Sequence, residues 1–351
     1  MREKSLDSAK KNIDNVDINK DRLGYELYSN GVAIEIVNVW DDSLESETFN
    51  ETRQLLDDWD MELQNLGDPK PPHFDKVNNV VKSNNHISER FYADESIKEW
   101  ALLMPSARAL YYLTHLGVKN LPSGMPISEN MTRFMREMDD GIGIRTRKRV
   151  ASGLIKRTIS GKDDVRCLSL ACGAADLMLE TLASSGKKSK LMLIDIDDDA
   201  LSMARSIALD NSLVEGQDYF IDNNNLIHSM IRSDSLVKQI GEGSQDVVEA
   251  IGINEYFSLP LAIKFLSNAY RFVKPGGSLI TANMLSDRNQ MQINKSAIGW
   301  PKIYPRSIEQ IIEMIQAAGL PLENTKITIP NDGIYAIIEI TKVGGSLEDA
   351  V

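Results

Sequence analysis

The 351-residue chain carries 51 acidic against 39 basic residues, a formal net charge of -12, with 42% apolar residues and two cysteines. That balance provides no basic face of the kind that draws in nucleic acid, and no run of about 18 apolar residues is present to span a membrane. Cys167 and Cys172 lie too close in sequence for a disulfide framework and match no zinc or other metal pattern, which fits a reduced, cytoplasmic protein.

The acidic excess sits at the start. Residues 1–75 hold 18 acidic and 8 basic side chains, against 33 and 31 in the rest, and read as a solvated surface. The opening MREKSLDSAKKNIDN is polar and lacks the apolar centre of a signal peptide. Asn30-Gly31 between β-branched runs points to a hairpin, although Leu23, Leu27, Ile34 and Trp40 can also be set on one helical face. Phe49, Leu55, Leu56, Trp59, Leu63 and Leu66 recur at helical spacing, and Gly67 stops that helix. Asp68-Pro69-Lys70-Pro71-Pro72 is a rigid connector.

Residues 73–137 read as mainly helical and concentrate aromatic and methionine side chains, among them Phe91, Tyr92, Trp100, Met131, Phe134 and Met135. These predict the core of a helical cap, with a few side chains left to line a pocket. His73, His86 and His115 fall here and read as structural. The domains expected are a mainly helical N-terminal cap and acceptor-binding region over 1–135, a second domain over 136–343, and a flexible tail over 344–351.

The second domain opens on a helix whose apolar face is Ile144, Val150, Leu154, Ile155 and Ile159. Arg145 or Arg147 on that helix could grip a carboxylate or phosphate of a substrate with two parallel hydrogen bonds. Val165 to Asp199 then reads as strand, tight turn, helix, strand. Cys167, Leu168 and Leu170 form the first strand, and Ala171-Cys172-Gly173-Ala174-Ala175 is a turn of small residues. Leu191 to Ile194 form the second strand, which stops at Asp195. Such a βαβ unit suits a nucleoside: the turn admits close approach of the backbone, and the carboxylate can accept both ribose hydroxyls.

Asp197 is placed to cap the next helix. Tyr219-Phe220-Ile221 is a third strand ending at Asp222, and Asp246 to Ile253 a fourth ending in Asn254-Glu255-Tyr256-Phe257. Lys274-Pro275-Gly276-Gly277 turns the chain into a fifth strand. The long loop 284–305 holds Trp300 and Tyr304, candidates for substrate contact. A helix from Ser307 and two strands, 326–329 and 334–341, close the chain.

In this order the motifs make residues 136–342 similar to class I S-adenosylmethionine-dependent methyltransferases. Leu168 to Ala175 stand where that family has its nucleotide loop, and Ile194-Asp195-Ile196-Asp197 looks like its second motif. Asp246-Val247-Val248 with Gly252 to Tyr256 looks like its fourth. Phe272 to Ile280 resembles its turn into the fifth strand and is the most specific match. The resemblance implies a doubly wound α/β fold, with a seven-stranded, mostly parallel sheet and the helical cap before it. The loop departs from the family at Ser169, where an acidic residue is frequent, and at Ala171 and Ala175, where glycines are. Because alanine avoids positive φ, Gly173 is expected to supply any unusual turn.

Carried over by position, the resemblance implies that Ala171, Cys172 and Gly173 pass the methionine part of the cofactor. It implies that Asp195 accepts the ribose hydroxyls, that Ile196 packs on adenine, and that Asp222 or Asn223 accepts from the adenine amino group. Asn254, Glu255 and Tyr256 lie where the methyl group is presented, with Glu255 the first candidate base and Tyr256 or a histidine of the cap the next. A base is needed only when the acceptor must lose a proton. The reaction expected is in-line methyl transfer to O or N of a small-molecule acceptor. The same fold also supports transfer of the cofactor's aminobutyl or aminopropyl chain, or non-catalytic S-adenosylmethionine binding. A homodimer is left open. A nicotinamide-dependent reductase is disfavoured, because Gly-x-Gly-x-x-Gly does not occur.

Overall fold

The computed structural model describes residues 22–27 and 31–344. They fall into two compact units: one holds the chain through Val39, Arg147–Ser286 and Ile303 onward, the other Trp40–Thr146 and Asp287–Lys302. No helix among the described residues is long and apolar enough to cross a membrane.

The strands in chain order are β1 (Arg22–Leu27), β2 (Ala33–Val37), β3 (His73–Asp75), β4 (Val80–Lys82), β5 (Asp164–Leu170), β6 (Lys188–Asp195), β7 (Tyr219–Asn223), β8 (Gln245–Ala250), β9 (Val273–Met284), β10 (Thr325–Pro330) and β11 (Tyr335–Thr341). The first unit is built on one sheet ordered β1-β2-β10-β11-β9-β8-β5-β6-β7. β5 to β9 run parallel, while β11 is antiparallel to both β9 and β10. The mostly parallel α/β sheet is the one the sequence predicts, but it has nine strands and not seven. The two additional strands are the hairpin. β1 pairs antiparallel with β2, and β2 adds in parallel to β10, with Ile34 opposite Ile327 and Ile36 opposite Ile329. The physical reason is the edge: β10 would otherwise present unpaired N–H and C=O groups, and Val32 and Ile34 bury their side chains in the sheet's core when they cover it. The tight turn predicted at Asn30-Gly31 lies partly outside the described residues, at 28–30.

The central strands read as apolar runs because both faces are covered. Leu168, Leu170, Ile194, Val248, Ala250 and Leu279 are buried in one cluster with Phe265, Leu266, Ile311 and Ile315 from the helices Leu259–Arg271 and Ile308–Ala317. Pro275-Gly276-Gly277, expected as a turn ahead of the fifth strand, lies inside β9, where the register against β8 shifts between the Gln245–Val273 and Val247–Ser278 pairs. Gly276 takes φ of 77°, whereas Gly277 must lack a side chain, since a Cβ there would lie 2.6 Å from the Asp246 carbonyl oxygen. Asp246 is buried at the start of β8 and is held by Lys162 at 2.8 Å, Lys274 at 2.5 Å and the Arg166 amide at 2.9 Å. Burial pushes its carboxyl up, but these donors outweigh that and hold it below the ordinary value.

The second unit is mainly helical, with helices Phe49–Asn65, His86–Phe91, Glu95–Leu102, Ala107–Thr114 and Glu129–Glu137, and the small β3–β4 pair. Its core is the aromatic and methionine set read from the sequence: Phe91, Trp100, Met131 and Phe134 are fully buried, and the Phe91 and Phe134 rings lie 5.4 Å apart. The helix Asp139–Ile159 starts in this unit and, from Arg147, continues in the sheet unit.

Candidate active site

In the sheet unit the chain passes from β5 to β6 and β7 on one side and to β8 and β9 on the other. The carboxyl ends of β5 and β8 therefore flank the point where the strand order reverses, which is where open α/β sheets bind ligands. Three loops of the sequence-predicted site leave from this edge.

The first is Ala171–Ala175. Its turn is sharper than the sequence suggests: Ala171 and Ala175 adopt φ of 53° and 55°, and Gly173 55°. The expectation that Gly173 alone supplies the unusual conformation is thus corrected. The alanines are forced over because the Cys172 amide must reach the Ile194 carbonyl (3.0 Å) and the Ala175 amide the Cys172 carbonyl (2.8 Å). Left-handed backbone costs an L-residue about 1–2 kcal/mol. Ala171→Gly, at the half-buried position, is expected to raise unfolding free energy by about 0.5–1 kcal/mol. Chemical denaturation measures this, and a destabilised variant would contradict it.

The second loop leaves β6. Asp195 Oδ2 accepts from the Gly173 amide at 2.7 Å and Oδ1 from the Asp197 amide at 3.0 Å. Each oxygen keeps acceptor capacity, since a carboxylate offers about four acceptor sites. Ile196 beside it is 63% exposed, an apolar side chain presented to solvent. Asp197 caps the helix Asp198–Asp210, as the sequence predicts, through the Asp199 and Ala200 amides. At the end of β7, Asp222 accepts from Asn224 and Gln239, each at 3.3 Å. Asn223 donates to the Ile196 carbonyl (3.2 Å) and to Asp198 (2.8 Å), tying β7 to the β6 loop. Small side chains in the turn, a carboxylate with capacity for a diol, and an exposed apolar side chain beside it fit a nucleoside. Burial and the nearby Asp195 and Glu249 push the Cys172 thiol well above the ordinary value, which favours its neutral form.

The third loop follows β8. Asn254 donates to the Thr281 hydroxyl at 2.7 Å, which donates to the Ala250 carbonyl at 2.7 Å, while Asn254 Oδ1 is buried without a partner. Glu255 is buried. Arg147 Nη1 lies 3.2 Å from its Oε1, and its Oε2 has no hydrogen-bond partner among the described residues. Burial raises the Glu255 carboxyl above the ordinary value, only partly offset by Arg147. Tyr256 is half-buried in the same turn. Arg147 also stacks over the Tyr335 ring, 4.4 Å from its centroid. It is spent inside the sheet unit on Glu255 and Tyr335 and is not the exposed grip for a substrate anion that its position on the helix suggests.

Arg145 is corrected more strongly. It lies in the helical unit, buried, with Nε and Nη2 on Asp41 at 2.8 and 2.7 Å and the other donors on the carbonyls of Leu113, Met135 and Arg136. All five N–H groups are used, so none is left for a ligand. Trp300, also in that unit, stacks with Trp100 at 6.5 Å. Tyr304 belongs to the sheet unit, where its amide donates to the Glu255 carbonyl.

Two residues escaped the sequence reading. Arg306 is buried and donates to the carbonyls of Asn254 (3.1 Å) and Phe257 (2.6 Å) and to Asn283 (2.5 Å), pinning the turn that carries Glu255. Its partners are 23 to 52 residues away, so no local pattern marks it. Glu249, on β8, is buried with Ser169 and the Ile251 amide as its donors. Its signal was available: a glutamate inside the apolar run Val247-Val248-Glu249-Ala250.

Strand order and the placement of the switch-point loops together define a class I methyltransferase fold. The ubiE/COQ5 methyltransferase family profile matches residues 129–306, half of the chain, and the chain belongs to that family. It is an S-adenosylmethionine-dependent methyltransferase. No curated protein matches the sequence. Among solved structures, a possible exported protein from Bordetella parapertussis superposes with a TM-score of 0.59 at 15% identity, over 87% of this chain and all of that one. Magnesium protoporphyrin IX methyltransferase from Synechocystis, with bound S-adenosylhomocysteine, gives 0.41 at 16% identity over 57% and 87%. The 1,6-didemethyltoxoflavin-N1-methyltransferase of Burkholderia thailandensis gives 0.38 at 14% over 56% and 79%. At 15% identity the likeness to the Bordetella protein is one of fold alone.

Proposed function

We propose that this enzyme methylates a small-molecule acceptor at oxygen or nitrogen, with Glu255 receiving the acceptor's proton. The observation that carries the reading is the Glu255 carboxylate: buried at the carboxyl end of the sheet, fixed at Oε1 by Arg147 and holding Oε2 without a partner among the described residues. An oxygen in that state accepts a proton or hydrogen bond from whatever enters. S-adenosylmethionine supplies, when bound, a methyl group already activated by its sulfonium. The chain's part is then to hold the nucleoside at Asp195 and Ile196, to keep Glu255 ionised and aimed through Arg147, and to keep the turn rigid through Arg306. The acidic balance of the chain supports a small acceptor over a nucleic acid. The sequence after β8, Asn254-Glu255-Tyr256-Phe257, also lacks the Asn/Asp-Pro-Pro-aromatic run associated with amino-group methylation of adenine or glutamine. Two free cysteines support a reducing, cytoplasmic setting.

Turnover of candidate phenols, carboxylates and amines, read by product mass spectrometry, tests this. S-adenosylhomocysteine is the expected co-product, and methylthioadenosine in its place would mean chain transfer instead. Glu255→Gln is expected to lower kcat about 100-fold with the KM for the cofactor unchanged. In the wild type the base works only when ionised. Because burial raises its pKa, kcat should fall on acidification through a midpoint above the ordinary glutamate value, and that limb should vanish in the variant. A variant with the wild-type rate and pH profile excludes Glu255 as the base.

A further inference from the structure

Glu249 has no role in the site as described, yet it is a buried carboxylate at the ligand edge. It stands in register with Ser169 of β5 and one residue before the end of β8. The Ser169 hydroxyl donates to Oε2, and the Ile251 amide donates to Oε1 at 2.7 Å. Both donors are neutral. No lysine, arginine or histidine among the described residues forms an ion pair with it. Arg147, which acts on it at longer range, has its contacts on Glu255 and Tyr335. The buried carboxylates elsewhere in this unit do have their cations: Asp246 has Lys162 and Lys274, Glu255 has Arg147, and Glu35 has Lys326. A buried charge without a counter-ion is costly. One placed beside the nucleoside turn, with both oxygens already oriented, is completed by a ligand that brings its own cation.

The sequence supplies an independent reason. The nucleotide loop has Ser169 where a carboxylate is frequent, and Ser169 is the residue that hydrogen-bonds Glu249. The charge missing from β5 is present one strand over, on β8, held by the hydroxyl that replaced it. We propose that Glu249 receives the α-ammonium at the methionine end of the cofactor, in place of the carboxylate absent at Ser169. The ammonium is the cofactor's hydrogen-bonding cation, with three N–H donors for the remaining lone pairs of Glu249. The proposal rests on the cofactor being S-adenosylmethionine.

Titration calorimetry on the full chain tests it with three probes: S-adenosylhomocysteine, its deaminated analogue, and methylthioadenosine, which lacks the whole amino-acid end. The wild type should prefer S-adenosylhomocysteine to the deaminated analogue by about tenfold or more. Glu249→Gln should abolish that preference while leaving methylthioadenosine affinity unchanged. Three results overturn the assignment: a wild type without the preference, a variant that keeps it, or a variant that loses affinity for all three probes equally. If Glu249→Gln does not fold, Glu249→Asp keeps the charge but withdraws it by one methylene. A reduced preference in that variant supports the proposal, and a full one overturns it. A wild type that binds methylthioadenosine but not S-adenosylhomocysteine overturns this assignment alone. One that binds no probe overturns the cofactor reading beneath it.

Discussion

Asp195→Ala is expected to weaken S-adenosylhomocysteine binding by about 100-fold or more, the largest single loss of affinity available in this chain. Two effects add. The carboxylate is the acceptor that a ribose diol would use, and hydrogen bonds to a charged group contribute roughly 1.5–3 kcal/mol each. The same carboxylate also ties the Gly173 amide to the tip of β6 at 2.7 Å, so its removal loosens the turn in which Ala171 and Ala175 are held at positive φ. Asp195→Asn keeps one acceptor oxygen and should fall between wild type and Ala. Isothermal titration with S-adenosylhomocysteine decides it. An affinity for the Ala variant within about threefold of wild type would remove Asp195 from the site.

Arg145→Ala should have the largest effect on stability, about 3–5 kcal/mol, the loss seen when one partner of a buried ion pair is removed. Asp41 would remain buried with its charge uncompensated, and the carbonyls of Leu113, Met135 and Arg136 would lose their donor. Arg145→Lys keeps the charge but not the planar fork, and should recover only part of the loss. In the wild type burial pushes the Asp41 carboxyl up. The hydrogen bonds and charge of Arg145, with Ser43, outweigh this and hold it below the ordinary value. A carboxyl depressed on folding contributes stability that is complete above its unfolded pKa, near 4, and is lost as pH falls through the lower folded value. The Arg145–Asp41 contribution should therefore disappear in acid. All four tryptophans, Trp40, Trp59, Trp100 and Trp300, lie in the helical unit that Arg145 organises. Denaturant unfolding followed by tryptophan fluorescence thus reports on that unit directly. A midpoint unchanged in Arg145→Ala would mean that the arginine is dispensable there.

The two arginines show where a one-dimensional reading reaches its end. Arg145 and Arg147 are two residues apart in sequence, and both read as cations outside the apolar face of a helix. Neither is exposed, because Asp41 and Glu255 approach from 104 and 108 residues away. A charge on a helix declares its own chemistry but not its counter-ion. Arg306 escaped notice for the same reason, since its partners come from other strands and turns, whereas Glu249 carried a local signal whose meaning only its pairing with Ser169 supplied.

The sequence by itself determined the strand and helix succession, the parallel sheet, the positive φ at Gly276, the Asp197 cap and the place of Asp195. Each of these rests on local chemistry: apolar period, positive φ, a carboxylate at a strand tip or helix start. For residues 22–37 the sequence left a hairpin and a helix both open, and the antiparallel pairing of β1 with β2 decided for extended strands. Only the tertiary structure decided that this hairpin completes the sheet edge at β10 and so makes nine strands, because an edge becomes available only after the other strands have paired. Only the tertiary structure put alanines into left-handed backbone at 171 and 175, since the hydrogen bonds of the closed loop override their local preference. And only the strand register set Glu249 against Ser169, bringing a carboxylate to the loop from a strand 80 residues further along the chain.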